Sequence, residues 1–194
     1  MQLSDLDFSK TYSYADYLQW TFEDRLELIK GKIFKMPPAP ASKHQYISWI
    51  IASELYAYLK GKKRNAYPAP FDVRLPRARN DDDRKVVTVV QPDICVVCDP
   101  AKIDARGCTE APDIVVEILS PGNNQKELRN KYEVYEEAGI KEYWIVSPQD
   151  KTFLKYTLIS GAYQPSRLMT TGDIITTEIL PGFELSLDTV FADN

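Results

Sequence analysis

Nowhere in its 194 residues does the chain carry an apolar run of the ~18–20 residues that a membrane-spanning helix needs. Its first ten residues, MQLSDLDFSK, have no basic segment leading into an apolar stretch, so they do not read as a secretory signal. Histidine occurs once and cysteine three times. An odd set of thiols in an unexported chain is expected to stay reduced, and a cytoplasmic location fits. A positive balance of charge is missing too. The formal net charge of −4 argues against a protein that coats nucleic acid without selectivity. It leaves room for an enzyme acting on nucleic acid, because metal-binding carboxylates carry negative charge and substrate contact needs only a local basic patch. No repeat, low-complexity stretch or linker interrupts the chain, so a single domain over residues 1–194 is expected.

What is present is a globular composition, 44% apolar and 27% charged, with well-marked elements. Ser13 is suited to cap a short helix running to about Trp20. Arg25 to Met36 reads as a hairpin turning at Gly31, ended by Pro37, Pro38 and Pro40. Ser42 then caps a long helix whose apolar residues, Ile47, Ile50, Ile51, Leu55, Tyr58 and Leu59, share one stripe. Strand-like segments follow at Phe71–Leu75, Val86–Val90 and Ile94–Val97. Ala111–Leu119 is a nearly continuous apolar strand of the kind found mid-sheet. A turn over Ser120–Asn124 leads to a helix ending near Gly139, then strands at Glu142–Val146 and Thr152–Ile159. This order is mixed α/β, with a central mixed sheet flanked by helices, an added N-terminal hairpin and short C-terminal strands.

Two acids sit where acids are costly. Asp93 opens the strand Ile94–Val97, and Glu117 lies among branched aliphatics inside Ile114–Leu119. A buried carboxylate needs a cation or a hydrogen-bond network. Strand alternation puts Asp113, Val115, Glu117 and Leu119 on one face, expected to open onto a site, and Ile114, Val116 and Ile118 on the other. Two carboxylates on neighbouring strands suit Mg²⁺, with Mn²⁺ able to substitute, and phosphodiester cleavage by a metal-activated water. Lys131 is the candidate for the accompanying lysine. It falls at the edge of the Leu128, Tyr132 and Tyr135 stripe, where its stem can pack inward. The alternative for Lys131 is a surface pair with Glu127.

The segments Gln91-Pro92-Asp93-Ile94, Ala111-Pro112-Asp113-Ile114-Val115-Val116-Glu117-Ile118-Leu119-Ser120-Pro121 and Glu142-Tyr143-Trp144-Ile145-Val146, with Lys131, Tyr135 and Gly139, resemble a large bacterial family of putative restriction endonucleases. That family is especially numerous in photosynthetic bacteria. Tyr17-Leu18, Glu27 to Ile33 and His44 match its N-terminal half. The resemblance covers roughly residues 12–160. It implies a restriction-endonuclease-like fold and a PD-(D/E)xK metal site. Asp93 would be the first acid and Glu117 the second, with Glu27 and His44 lining the site. The signature asks for lysine two residues beyond the second acid, where this chain has Leu119. Either Lys131 supplies it from the following helix, or the lysine is absent and the site inactive.

The reading that follows is a divalent-metal-dependent endonuclease acting on DNA, with a homodimer compatible. The competing reading is an inactive nuclease-fold module that binds nucleic acid or a protein. A phosphohydrolase for small nucleotides is a third. Cys95 and Cys98 have C-x-x-C spacing but lie on a strand, where thiols three apart point to opposite faces, so they read as buried small hydrophobes. Tyr143 and Trp144 read as core, and Asp113 as a turn or edge residue. Lys60, Lys62, Lys63 and Arg64, and a second set at Arg74, Arg77, Arg79, Arg84 and Lys85, are candidate phosphate contacts or solvated faces.

Overall fold

The computed structural model describes residues 3–21, 24–36, 41–78, 81–120 and 125–192, with side chains in the last segment from residue 128 onward. Its strands, in chain order, are β1 (Leu26–Ile29), β2 (Lys32–Lys35), β3 (Asn65–Pro68), β4 (Val73–Arg74), β5 (Val89–Val90), β6 (Ile94–Val97), β7 (Ile103–Asp104) and β8 (Gly107–Cys108). They continue with β9 (Ile114–Ile118), β10 (Glu142–Ser147), β11 (Thr152–Ile159), β12 (Ala162–Pro165), β13 (Met169–Thr170), β14 (Ile174–Thr176) and β15 (Glu184–Ser186). The α-helices are α1 (Tyr14–Tyr17), α2 (Ser42–Leu59), α3 (Gln125–Glu137) and α4 (Leu187–Val190).

The central sheet runs β12-β11-β10-β9-β6-β3, with β13 also on β11. It is mixed: β9 and β10 are parallel, while β6 and β11 flank that pair in antiparallel sense. The parallel pair sits mid-sheet because α3 carries the chain over one face and returns it alongside β9, as a parallel connection requires. The β9 run Ile-Val-Val-Glu-Ile is buried on both faces. The face carrying Glu117 was expected to be open; instead it is covered. Val115, Tyr143, Val134 and Tyr135 pack there with Ile29, Val73 and Val90 from a second sheet, ordered β2-β1-β5-β4-β8-β7. The expected hairpin is therefore the edge of a six-stranded sheet and not a separate appendage.

On the opposite face, Ile47, Ile51, Leu55 and Leu59 of α2 meet Ile94, Val96, Ile114, Val116 and Ile118. The C-terminal residues Ile175, Leu180, Phe183, Leu185, Val190 and Phe191 close the same core. Ile51 and Leu55 are fully buried, so each contributes on the order of 1.5–3 kcal/mol through burial.

Local signals explain the boundaries. The β1–β2 turn places Lys30 and Gly31 at φ +52° and +77°, the doubly positive pair of a hairpin turn that matches strand twist. A Cβ on Gly31 would also come within 3.0 Å of Thr11 Cβ. Ser13 caps α1 reciprocally with Asp16, but that helix stops at Tyr17, short of Trp20. Ser42 is not the cap of α2; it is the first helical residue, after Ala41, which makes no side-chain cap bond. Gly139, at φ +79°, follows the end of α3 as expected. The prolines at 37, 38 and 40 and the turn residues 121–124 lie outside the described residues. No described helix is long and apolar enough to cross a membrane, and the three cysteines are unpaired.

Candidate active site

The antiparallel register of β6 and β9, with Ile94 opposite Val116, places Asp93 across from Glu117 at the carboxyl end of β9. Alternation puts both side chains on the α3 face. Asp93 Oδ2 accepts a hydrogen bond from the Ile118 N–H at 2.7 Å. The same oxygen lies 3.3 Å from His44 Nε2, which reaches around the sheet end from the first turn of α2. His44 is buried, and its Nδ1 has no hydrogen-bond partner. Burial opposes charging the ring, but the Asp93 hydrogen bond and charge, the nearby Ile118 carbonyl and Glu117 outweigh it and raise its pKa.

Glu117 is held from α3. Its Oε1 accepts from Lys131 Nζ at 2.9 Å and from Tyr135 Oη at 2.6 Å. Lys131 and Tyr135 stand four apart, so one helix face delivers both donors. Lys131 Nζ also lies 3.1 Å from Glu27 Oε1, on β1 of the second sheet. Glu27 Oε1 is fixed by the Gln91 N–H at 2.8 Å. The Gln91 side chain in turn donates to Asp72 Oδ1 at 2.8 Å and accepts from Arg25. In each of the three carboxylates Glu27, Asp93 and Glu117, these bonds converge on a single oxygen.

The electrostatics are those of a crowded, dry site. Burial first, then the neighbouring charges of Asp93 and Glu27, push the Glu117 carboxyl up to about 7, although Lys131 and Tyr135 pull the other way. Lys131 is held charged: Glu117 and Glu27 overcome its burial and lift its pKa well above the ordinary lysine value. Burial likewise pushes the Tyr135 hydroxyl far up, so it acts as a donor.

All five residues singled out in the sequence thus meet at one end of the central sheet. Glu27, Glu117 and Lys131 touch directly, and Asp93 and His44 form the adjoining pair. The surface alternative for Lys131 does not hold, since the residue is only 4% exposed and points inward; the Glu127 side chain lies outside the described residues. The lysines of the hairpin that carries Glu27 pair elsewhere: Lys30 goes to Glu137 and Lys32 to the carbonyls of Ser9 and Lys10. Two participants were not singled out, Gln91 and Tyr135. Tyr135 shares the face of Lys131 and stood within reach of the pattern; Gln91 acts on Glu27 through its backbone N–H, which the pattern does not report.

Other candidates fall to structural roles. Asp113 accepts from the Cys98 N–H and Lys141. Arg74 turns inward to Asp104 and the Cys108 carbonyl, Arg64 bonds the Ile179 carbonyl, and Lys62 sits over the Tyr58 ring. Arg79 lies outside the described residues. Tyr143 and Trp144 are fully buried. Among the described residues, no three of His, Cys, Asp and Glu gather as a metal-binding group.

Beside His44, a cleft of about 540 Å³ opens past the carboxyl ends of β9 and β10. Ala41, Lys43 and His44 form one side; Leu119, Leu128 and Pro148 supply apolar wall; Ser120, Ser147, Gln149 and Asp150 supply polar groups.

The model of the Uma2 family, described as putative restriction endonuclease, matches residues 14–188. No curated protein matches the sequence. Among solved structures, the chain is similar to one described as a putative nuclease from Anabaena variabilis. The identity is 19%, the alignment covers 93% of this chain and 97% of that one, and the TM-score is 0.74. The fold is restriction-endonuclease-like.

Proposed function

The chain belongs to the Uma2 family of putative restriction endonucleases, and on that premise we propose that it is a divalent-metal-dependent endonuclease that hydrolyses DNA phosphodiester bonds. One observation carries the reading: Lys131 enters from α3 to the position where Glu117 and Glu27 converge, opposite Asp93. An enzyme of this kind needs an acid pair and a positioned cation. Here Glu117 and Lys131 are buried, Asp93 is half-buried, and all three are held by neighbouring donors or acids despite the apolar Leu119.

The residues fit a divalent cation. Three carboxylates crowd one end of the sheet, and their mutual repulsion is what raises Glu117 beyond the effect of burial. A cation between Asp93 and Glu117 would relieve it, using the carboxylate oxygens that the network leaves aside. Mg²⁺, or Mn²⁺ in its place, commonly binds through one or two carboxylates and keeps several waters, so two acids suffice. When bound, such an ion supplies a water of lowered pKa and neutralises charge gathering on the phosphate.

The chain's own groups have distinct tasks in this scheme. The Ile118 N–H and His44 fix the orientation of Asp93. Tyr135 holds Glu117 through one oxygen. Lys131, held charged, stands ready to steady the attacking oxygen or the negative charge of the pentacoordinate state. The Gln91 amide holds Glu27, so the lysine keeps a second anchor when Glu117 turns to a metal.

Leu119 and the acidic balance of charge favour the inactive-module reading; the burial of Lys131 beside Glu117 and Glu27 supports the catalytic one. Cleavage of supercoiled plasmid in Mg²⁺ or Mn²⁺ tests the proposal. Nicking or linearisation should vanish in EDTA and in Asp93→Asn and Glu117→Gln. Undiminished cleavage in EDTA, or in both variants, would overturn it.

A further inference from the structure

The cleft beside His44 adjoins the acids but, apart from His44 itself, its lining takes no part in the chemistry described above. It lies past the carboxyl ends of the parallel pair β9 and β10, against the first turn of α2. In open α/β sheets this is where ligands bind, because loops diverge there and helix N-termini point inward. Its volume of about 540 Å³ falls within the ~300–1,000 Å³ of small-ligand sites. Leu119, Leu128 and Pro148 offer apolar surface for the face of a ring, and Ser147, Gln149 and Asp150 offer polar groups for its edge.

We infer that this cleft holds one unpaired nucleotide of the substrate strand, next to the phosphate to be cleaved, and that the protein acts on single-stranded or locally unpaired DNA. The inference rests on the endonuclease reading, which puts the reacting phosphate at Asp93 and Glu117. His44 contacts Asp93 and also forms part of the cleft, so the two regions are continuous.

Charge sets the direction of the nucleotide. Lys43 and the amino end of α2 lie on one side. That helix is 18 residues long, and its cap residue Ala41 provides no side-chain acceptor. The positive end of the helix dipole and the lysine favour phosphate there. Asp150, in the turn between β10 and β11, also lines the cleft, held by a 2.7 Å hydrogen bond from Ser147 Oγ. A carboxylate there repels phosphate and accepts from the exocyclic amino group of a base. Phosphate goes toward α2 and the base edge toward Asp150.

Pairing state follows from shape. A base inside a duplex exposes only its edges in the grooves, so reaching walls that grip its faces means leaving the stack. Leu119 gains a function in this arrangement. With the lysine on α3, the position two beyond Glu117 is free to be apolar wall.

The test is fluorescence anisotropy of a labelled oligonucleotide, single-stranded or annealed as a blunt duplex, in Ca²⁺. Taking roughly 50 Å² of a base's apolar surface out of water favours binding by about tenfold, so the wild type should bind the single strand about that much tighter. Leu119→Trp, checked for folding by circular dichroism, should fill the cleft and remove the preference while leaving duplex binding unchanged. Asp150→Leu keeps the bulk but removes the acceptor, and should weaken binding of oligo-dA and oligo-dC without weakening that of oligo-dT. Equal affinity for the two forms in the wild type, or an undiminished preference in a folded Leu119→Trp, would overturn the inference. Loss of plasmid cleavage in Mg²⁺ with the strand preference intact would instead count against the endonuclease reading alone.

Discussion

Lys131 Nζ and Glu117 Oε1 lie 2.9 Å apart, joining a helix to the strand two residues before the position where the family signature would carry its lysine. Both groups are nearly inaccessible to water. The ion pair is therefore a dry one, and removing either partner leaves a charge that solvent cannot reach.

Lys131→Met keeps the stem and deletes the charge. It is expected to lower DNA cleavage by about 10²–10³-fold, the usual loss for one positioned group at a site of this kind. Unfolding free energy should fall by about 3–5 kcal/mol, because Glu27 and Glu117 lose their counter-ion. Added Mn²⁺ should raise the melting temperature of the variant more than that of the wild type. An unchanged cleavage rate would assign the task to another group.

Asp93→Asn and Glu117→Gln should each abolish tight Mn²⁺ binding in calorimetry, since each removes one of the two acids proposed to hold the ion. Circular dichroism should show the fold retained. Wild-type affinity in both variants would place the metal elsewhere.

The pH dependence has two opposite signs. The Glu117 carboxyl sits at about 7 in the fold against an ordinary 4.5. The folded chain thus keeps a proton that the unfolded chain releases. Its contribution to stability is full below 4.5 and is lost as pH rises through about 7. Metal binding needs the ionised acid, so Mn²⁺ affinity should climb with pH and level off above about 7. Calorimetric titrations on both sides of neutrality check this, and a flat profile would contradict it.

Tyr135→Phe removes a hydrogen bond that favours ionised Glu117. The midpoint of the Mn²⁺ affinity profile should move to higher pH. A variant that lost only stability, by the roughly 1.5–3 kcal/mol of a hydrogen bond to a charged group, would show Tyr135 to be packing alone.

Glu142 belongs to the same family motif yet stands apart from the site. Its carboxylate accepts from Trp144 Nε1 at 2.8 Å and Thr177 Oγ1 at 2.8 Å, tying β10 to the C-terminal segment. Glu142→Ala should cost about 1–3 kcal/mol by stranding two buried donors, with Mn²⁺ affinity unchanged in the folded protein. Loss of metal binding at full stability would bring Glu142 into the site.

The elements most legible in the sequence were those whose signals are local. The Lys30-Gly31 turn, the α2 stripe and the aliphatic β9 run each depend on a few neighbouring residues. Asp93 and Glu117 stood out because acids interrupt apolar strands. The second sheet was hidden, because two-residue strands such as Val73–Arg74 are defined by distant partners and carry no period of their own. For the same reason Arg74 read as a basic surface residue, though its fork closes on Asp104. Gln91 was missed because it acts on Glu27 through its backbone N–H, which no side-chain pattern reports.

Lys131 also ties together three distant parts of the chain. Glu27 enters from the N-terminal sheet, Glu117 from the middle of the chain and Lys131 from the helix after it. Contacts of such sequence separation form slowly in general. The ammonium is a counter-ion built into the chain, so in the folded protein both acids face a positive charge without needing a bound ion.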